Sequence, residues 1–411
     1  MKIAMLAFGT RGDVQPFVAL GLGLQSAGYQ VILATQYRFY DQVTSAGLSC
    51  APINADVRLP SQKSVTTGRL SPIAVYRLTR HYMQQALNEM WDVCRDADAL
   101  IFSDWGRLPA VPIIEKLHIP ALMILTHPQQ MQFLYRETHV FGSPLAPWVS
   151  QLRKQILWQF VVRGLMNMWR RQTLQLPAAP FWGNEQLLKE WKTPVFFAHS
   201  PTVFPKPATW PDWFHVTGYL FLDQAGNWTP SPALVEFLSA GPPPVLIGFS
   251  SMSNRKVKNL ADVLLNALSM AKQRGIILTG WSKIGTSFSM PKDVFATDMA
   301  PHDWLFPQVA AVVHHGGAGT TAAGFCAGIP QVIIPFALDQ PFWAWRVAEL
   351  GSGPPALAPG VLTAERLAQV ITHGVENPAI RACATDLGTR IRAEDGVGNA
   401  VTLFEQYVCK S

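Results

Sequence analysis

The feature that most restricts the fold is AAVVHHGGAGTTAAGFCAGIPQVIIPF, residues 310–336. An apolar run of strand length gives way to a turn of small residues, resumes as a helical stretch and ends in a second apolar run. Two parallel strands joined by a crossover helix satisfy that order, and the turn between strand and helix is where such units receive phosphate groups. Amides at the start of a helix lack intrahelical partners and carry the positive end of its dipole, and small side chains let an anion come close. Gly316, Gly317, Gly319, Thr320 and Thr321 fit that task, and His315 adds a donor. Glycine serves tight turns for steric reasons too, so spacing alone leaves both readings standing.

The same rhythm runs through the chain. KIAMLAF, YQVILAT, DALIFSD and ALMILTH alternate with helical patterns in the first half, and PVLIGFS, GIILTGW, DVFATDM and AAVVHHG do so in the second. Alternation of this kind predicts an α/β protein with two doubly wound parallel sheets. A length of 411 residues agrees, because single cores stop growing near roughly 250–300 residues. Proline and tryptophan crowd the stretch from Pro201 to Pro244, which resists helix and ladder alike and reads as a linker. The expected division is 1–204, a linker at 205–243, 244–392, and a terminal helix at 393–411.

Composition removes several classes of function. A net charge of +6 is scattered without a dense Lys/Arg run, so nucleic acid is not an expected partner. Five cysteines, odd in number and far apart, lack metal spacing and fit a reducing cytoplasm. The opening apolar run stops at Gly9 and reads as a strand rather than a leader, and no stretch of about 18 apolar residues suggests a membrane span. Residues 151–184 hold five basic side chains, no acidic one, and Trp158, Phe160, Trp169, Phe181 and Trp182. Three readings stay open there: an apolar acceptor wall, an interfacial helix on anionic lipid, or a core-facing helix with a solvated basic face.

Two strings together carry a family resemblance. APHDWLFPQVAAVVHHGGAGTT, with FALDQPFWAWRVAELG after it, resembles the donor signature of nucleotide-sugar glycosyltransferases, the family that includes sterol 3-β-glucosyltransferases and glycopeptide-antibiotic glycosyltransferases. FGTRGDVQPFVALGLGLQSAGYQV is similar to the first strand–helix unit of that family. The resemblance implies the GT-B fold, with two Rossmann-like domains facing across a cleft, acceptor on the first and donor on the second. It also implies that the last helix returns to the first domain.

Site roles follow from the same resemblance. Asp339 and Gln340 match the positions that hold sugar hydroxyls, and Met299, Ala300 and His302 match the segment lining nucleobase and ribose. Trp281, at the end of an apolar run, is a further stacking candidate or a core residue; Ser251 follows PVLIGF at a diphosphate position. Ala323 stands where plant relatives carry a ribose-binding Glu, a feature shared with sterol-type relatives, so UDP is the expected nucleotide ahead of TDP. Inverting transfer needs a base, and the turn Gly12-Asp13-Val14-Gln15-Pro16 places Asp13 where the family puts one. Asp13 also suits the bland role of a helix cap, and the two uses are compatible.

Thr10 and Arg11 share that loop as candidates for acceptor or phosphate contact, His127 at the same edge is either an acceptor contact or an ordinary loop histidine, and Asp104 is expected to have a structural or secondary role. Asp96-Ala97-Asp98 imitates a metal-binding string but precedes a strand, at the wrong end of the sheet, so no metal is expected. The expected activity is transfer of a hexose from UDP-glucose to a hydroxyl of a lipophilic acceptor, with no permanent cofactor and no obligate protein partner. A nucleotide-sugar epimerase and a noncatalytic nucleotide-sugar or lipid binder are the alternatives on this fold.

Overall fold

Runs with no polar side chain form strands only where both faces are covered, and the first such run sits at the middle of a sheet. The computed structural model describes residues 1–54, 72–128, 162–180, 185–249, 260–279 and 290–408. Lys2–Leu6 (β1), Gln30–Gln36 (β2), Ser49–Ile53 (β3), Ala99–Ser103 (β4), Ala121–Leu125 (β5), Val195–Phe197 (β6) and Phe214–Val216 (β7) form a seven-stranded sheet in the order β3-β2-β1-β4-β5-β6-β7. Val245–Gly248 (β8), Gly275–Leu278 (β9), Val294–Thr297 (β10), Ala311–His314 (β11) and Gln331–Ile333 (β12) form a five-stranded sheet in the order β10-β9-β8-β11-β12. Every pairing is parallel.

Both orders reverse once, between β1 and β4 in the first sheet and between β8 and β11 in the second. Ligands of open parallel sheets bind outside the carboxyl ends of the strands at such reversals. β1 leads directly into the loop of Asp13, and β11 leads directly into the glycine turn at Gly316. Strand order therefore selects the same two turns that the motifs did.

The chain divides into two compact units: residues 1–199 with 206–222 and 396–411, and residues 200–205 with 223–395. The stretch read as a linker thus splits between them. Residues 206–222 contribute β7 to the edge of the seven-stranded sheet, where prolines cost no ladder bond, and Trp210 packs on Phe197 with ring centroids 4.4 Å apart. Residues 223–243 fall in the second unit, where Ser231 caps the helix Pro232–Ser239.

The terminal helix Gly396–Val408 belongs to the first unit because it packs on the helix Arg11–Ser26. Gly23 permits the approach: a Cβ there would sit 2.5 Å from Val397 Cγ1. Phe404 completes the contact, edge-on to Tyr29 at 5.7 Å, within the core formed by Phe17, Leu20 and Leu24.

Part of the basic aromatic segment lies among the described residues, and it is core-facing. Trp169 and Arg170 are buried; Trp169 Nε1 donates to Asn88 Oδ1 at 3.1 Å, and Arg170 makes a two-pronged pair with Glu115 at 2.7 and 2.9 Å. The guanidinium fork also gives its Nε–H to the Pro177 carbonyl, so this buried charge is paired on every side that the contacts describe. Residues 151–161 and 181–184, with Trp158, Phe160, Phe181 and Trp182, lie outside the described residues. Among the described residues no helix is long and apolar enough to cross a membrane.

Candidate functional site

In the first unit the chain leaves β1 and reverses at Gly9, whose φ of +132° favours glycine. Thr10 is the extended N-cap of Arg11–Ser26, and Asp13 sits at its third position. Asp13 Oδ2 accepts the Thr10 N–H at 2.6 Å and the Thr10 hydroxyl at 2.8 Å. A Cβ on Gly9 would lie 2.3 Å from that same oxygen, so the glycine makes room for the carboxylate as well as for the turn. Asp13 is thus a cap, the bland role anticipated for it, and it is held half-buried at the carboxyl edge of the sheet.

Neighbouring strands bring further groups to this edge. Thr10 turns its hydroxyl onto Asp13, Arg11 is half-buried beside it, and His127 follows β5. Asp104, after β4, pairs with Arg107 at 3.4 Å. Arg38 escaped the sequence reading: it follows β2 and donates to the Gly9 carbonyl, joined there by Gln36 Nε2 at 3.4 Å. Its position just past the run YQVILAT was the available signal. Asp96 and Asp98 lie at the opposite end of the sheet, where Asp98 Oδ2 accepts the Lys2 N–H at 2.7 Å.

In the second unit β11 ends at His314, which is fully buried with both ring nitrogens engaged. Nδ1 accepts the Gly316 N–H at 3.1 Å, which fixes the proton on Nε2, and Nε2 donates to Gln331 Oε1 at 3.0 Å. Burial, with neighbouring His315 adding to it, holds the His314 pKa down at about 3. Gly316 has a φ of +86°, and a Cβ would lie 2.7 Å from Ile333 Cγ2. The sequence singled out His315 and treated the glycines alike; the structure gives neighbouring His314 a task beneath the turn and separates the glycines. Gly316 offers no amide to a ligand, because His314 occupies its N–H. Thr321 is likewise removed from the phosphate set, since it is fully buried and its hydroxyl donates to the Gly317 carbonyl at 3.0 Å.

What remains open is the tip of the helix Ala318–Ala327, which has no side-chain cap from its own N-cap residue, Gly317. Asp339 supplies a cap from elsewhere: its Oδ2 accepts the Ala318 N–H at 3.2 Å and the indole N–H of buried Trp343 at 3.0 Å. The N–H groups of Gly319 and Thr320 find no partner among the described residues. His315 lies against this tip, where a Cβ on Gly317 would meet its Nε2 at 2.6 Å, and its buried Nδ1 has no hydrogen-bond partner among the described residues. Burial lowers the His315 pKa, and the Asp339 charge works against that. Gln340 is buried, and its Oε1 accepts the Phe336 and Ala337 N–H groups at 2.7 and 3.0 Å, so that oxygen shapes the turn after β12 instead of meeting a sugar.

Beyond β10, Asp298 is held by the Thr279 hydroxyl, which leaves Met299 59% exposed next to buried Ala300. His302 opens the short helix His302–Leu305 and lies against the Phe306 ring at 4.5 Å. Ser251 and Trp281 lie outside the described residues.

Comparison with known proteins meets this geometry from both ends. Residues 3–133 match the glycosyltransferase family 28 N-terminal domain, and residues 264–397 match the erythromycin biosynthesis protein CIII-like C-terminal domain. Two sterol 3-beta-glucosyltransferases of Arabidopsis thaliana are 34% and 33% identical across 99% of this chain, which spans 66% and 68% of their lengths. The chain belongs to the glycosyltransferase family that contains the sterol 3-beta-glucosyltransferases. A sterol 3-beta-glucosyltransferase of Neosartorya fischeri is 34% identical across 98% of the chain, which spans only 29% of that relative. Among solved structures, the kitacinnamycin glycosyltransferase superposes with a TM-score of 0.69 at 18% identity over 99% of both chains. The spinosyn forosaminyltransferase gives 0.70 at 16%, covering all of this chain and 99% of its own. At those identities the likeness speaks for the fold alone, and the fold is GT-B.

Proposed function

We propose that this protein moves glucose from UDP-glucose onto a hydroxyl of a sterol-like apolar acceptor, with inversion at the anomeric carbon. The second unit takes the donor and the first takes the acceptor. The open tip at Gly319 and Thr320 receives the diphosphate, with His315 as an added donor, Met299, Ala300 and His302 beside the nucleoside, and Asp339 facing the sugar hydroxyls. Asp13 takes the acceptor proton as the acceptor oxygen bonds to C1 and the bond from C1 to the phosphate oxygen breaks, releasing UDP. Charge developing on the diphosphate is met by the helix dipole and its amides, which act in place from the start and need no reorganisation.

One observation carries this reading: a helix tip at a strand-order reversal that keeps two amides open, among the described residues, between a half-buried histidine and a carboxylate. The sterol 3-beta-glucosyltransferase relatives supply the acceptor class and the sugar. The test is incubation with UDP-glucose and a mixed panel of sterols, triterpenoids and other hydroxylated aglycones, read by UDP release and by mass spectrometry. UDP is expected only when donor and acceptor are both present, with a product heavier by one hexose. Conversion of UDP-glucose without acceptor would point to an epimerase, and binding without turnover across the panel to a noncatalytic binder; either result overturns the proposal.

A further inference from the structure

We infer that the Asp339 carboxylate is a specificity-determining group that makes the donor turn favour a sugar-capped diphosphate over a free nucleoside diphosphate. The inference rests on the donor reading above and deepens it. A helix tip shaped only to attract an anion has no use for a fixed negative charge, yet this one is given a carboxylate from outside its own helix. Asp339 ends the turn after β12 and is the N-cap of the next helix, Gln340–Glu349. Two donors fix its Oδ2: the first amide of the phosphate helix, at Ala318, and the indole N–H of wholly buried Trp343.

An anion seated on the Gly319 and Thr320 amides therefore meets a fixed carboxylate one residue away along the same helix tip. The consequence depends on what the terminal phosphate carries. In a sugar diphosphate that phosphate is a diester with about one negative charge, and the attached sugar brings hydroxyls that donate to the carboxylate. In the free diphosphate the terminal phosphate gains nearly a second charge at neutral pH, since its second pKa is about 6, and the hydroxyls are gone. One side chain then attracts the substrate and repels the product. Oδ1, which has no hydrogen-bond partner among the described residues, is the oxygen left for the sugar.

The test is calorimetric titration of the full chain with UDP and, separately, with UDP-glucose in the absence of acceptor. Asp339→Asn keeps the size of the side chain and an oxygen for Ala318 and Trp343, so the cap survives, which a thermal melt verifies. That variant is expected to bind UDP roughly five- to tenfold tighter, the size of one unit charge removed at this range in a partly solvated site. It is also expected to bind UDP-glucose more weakly. Trp343→Phe retains the charge and the ring but releases the carboxylate from one anchor; UDP affinity should stay unchanged while UDP-glucose weakens about threefold. The inference is overturned if Asp339→Asn binds UDP no tighter than the unaltered protein, or weakens both ligands alike. An unaltered protein that binds neither ligand would instead refute the donor reading itself, and the inference with it.

Discussion

Two glycine turns in this protein share a plan and differ in one respect. Each follows a parallel strand beside a reversal of strand order, each bends through a glycine of positive φ, and each opens a helix with a carboxylate hydrogen-bonded at its N-terminal end. At the first turn the carboxylate is local: Asp13 belongs to the helix it caps and answers Thr10 three residues back. At the second it is borrowed, reaching Ala318 from Asp339, 21 residues on, and two further amides have no partner among the described residues. A local carboxylate holds the N-cap residue itself and leaves a negative charge at the sheet edge, suited to receiving a proton. A borrowed cap leaves room for an anion. On the proposed reading, the sign of what each turn handles follows from where its carboxylate originates.

Asp13→Asn is the strongest attempt to break that contrast. Asparagine still caps, so the melting temperature should move little, while kcat with UDP-glucose and an acceptor should fall by about 10²–10⁴-fold, the usual worth of a positioned base. Unchanged kcat would reduce the first turn to a cap and leave the reaction without its base. The two glycines sharpen the contrast next. Gly9→Ala drives a methyl into Asp13 Oδ2 and should depress kcat while sparing UDP affinity; Gly316→Ala collides with Ile333 and should weaken UDP binding. Each also forces a side chain into the left-handed region, at a cost of about 1–2 kcal/mol in unfolding free energy before the collision is counted. Calorimetry and steady-state kinetics on the pair separate the two effects, and a crossed result would mean that the turns had been assigned the wrong way round.

These turns were legible because strand, glycine and helix follow one another within a dozen residues, so local order alone exposes them. Partnerships formed across the chain were not. Nothing near Ala318 in sequence announces that Asp339 will cap it, and while the motif singled out His315, nothing in it announces that His314 will hold the Gly316 amide from beneath the turn. The same distance hid the nature of the basic segment: the acid that neutralises Arg170 is Glu115, 55 residues earlier, outside any window in which charge pattern is read. Proline density misled in the opposite way. It signals an interrupted ladder, but β7 is an edge strand with a free side, so prolines flank it without loss.

Each unit also keeps one fully buried histidine neutral, His199 in the first and His314 in the second, with burial as the main cause and the pKa of each near 3. Unfolding exposes both to water, where they titrate near 6.5, so the unfolded chain binds more protons at any pH between those values. Their stabilising contribution is complete above about pH 6.5 and is lost as pH falls toward 3, by about 2 kcal/mol for each histidine at pH 5. Urea denaturation at pH 7.5 and pH 5 should show both units weakened on the acid side. Equal midpoints at the two pH values would contradict the burial of both rings.

The smallest effect isolates what His314 does for the borrowed-cap turn. Its Nδ1 holds the Gly316 amide and its Nε2 holds Gln331, and the two bonds are separable by substitution. Asparagine is short and places an acceptor near the Nδ1 position, whereas glutamine reaches to the Nε2 position and leaves the Gly316 N–H unanswered. If the turn is set by the bond to Gly316, His314→Asn should bind UDP nearly as the unaltered protein does. His314→Gln should bind it about fivefold more weakly, the worth of one net hydrogen bond, with the acceptor KM unmoved in both. The reverse ranking would assign the geometry of the anion site to the Gln331 contact, and the turn would then owe its shape to packing under the helix rather than to the histidine at the end of its strand.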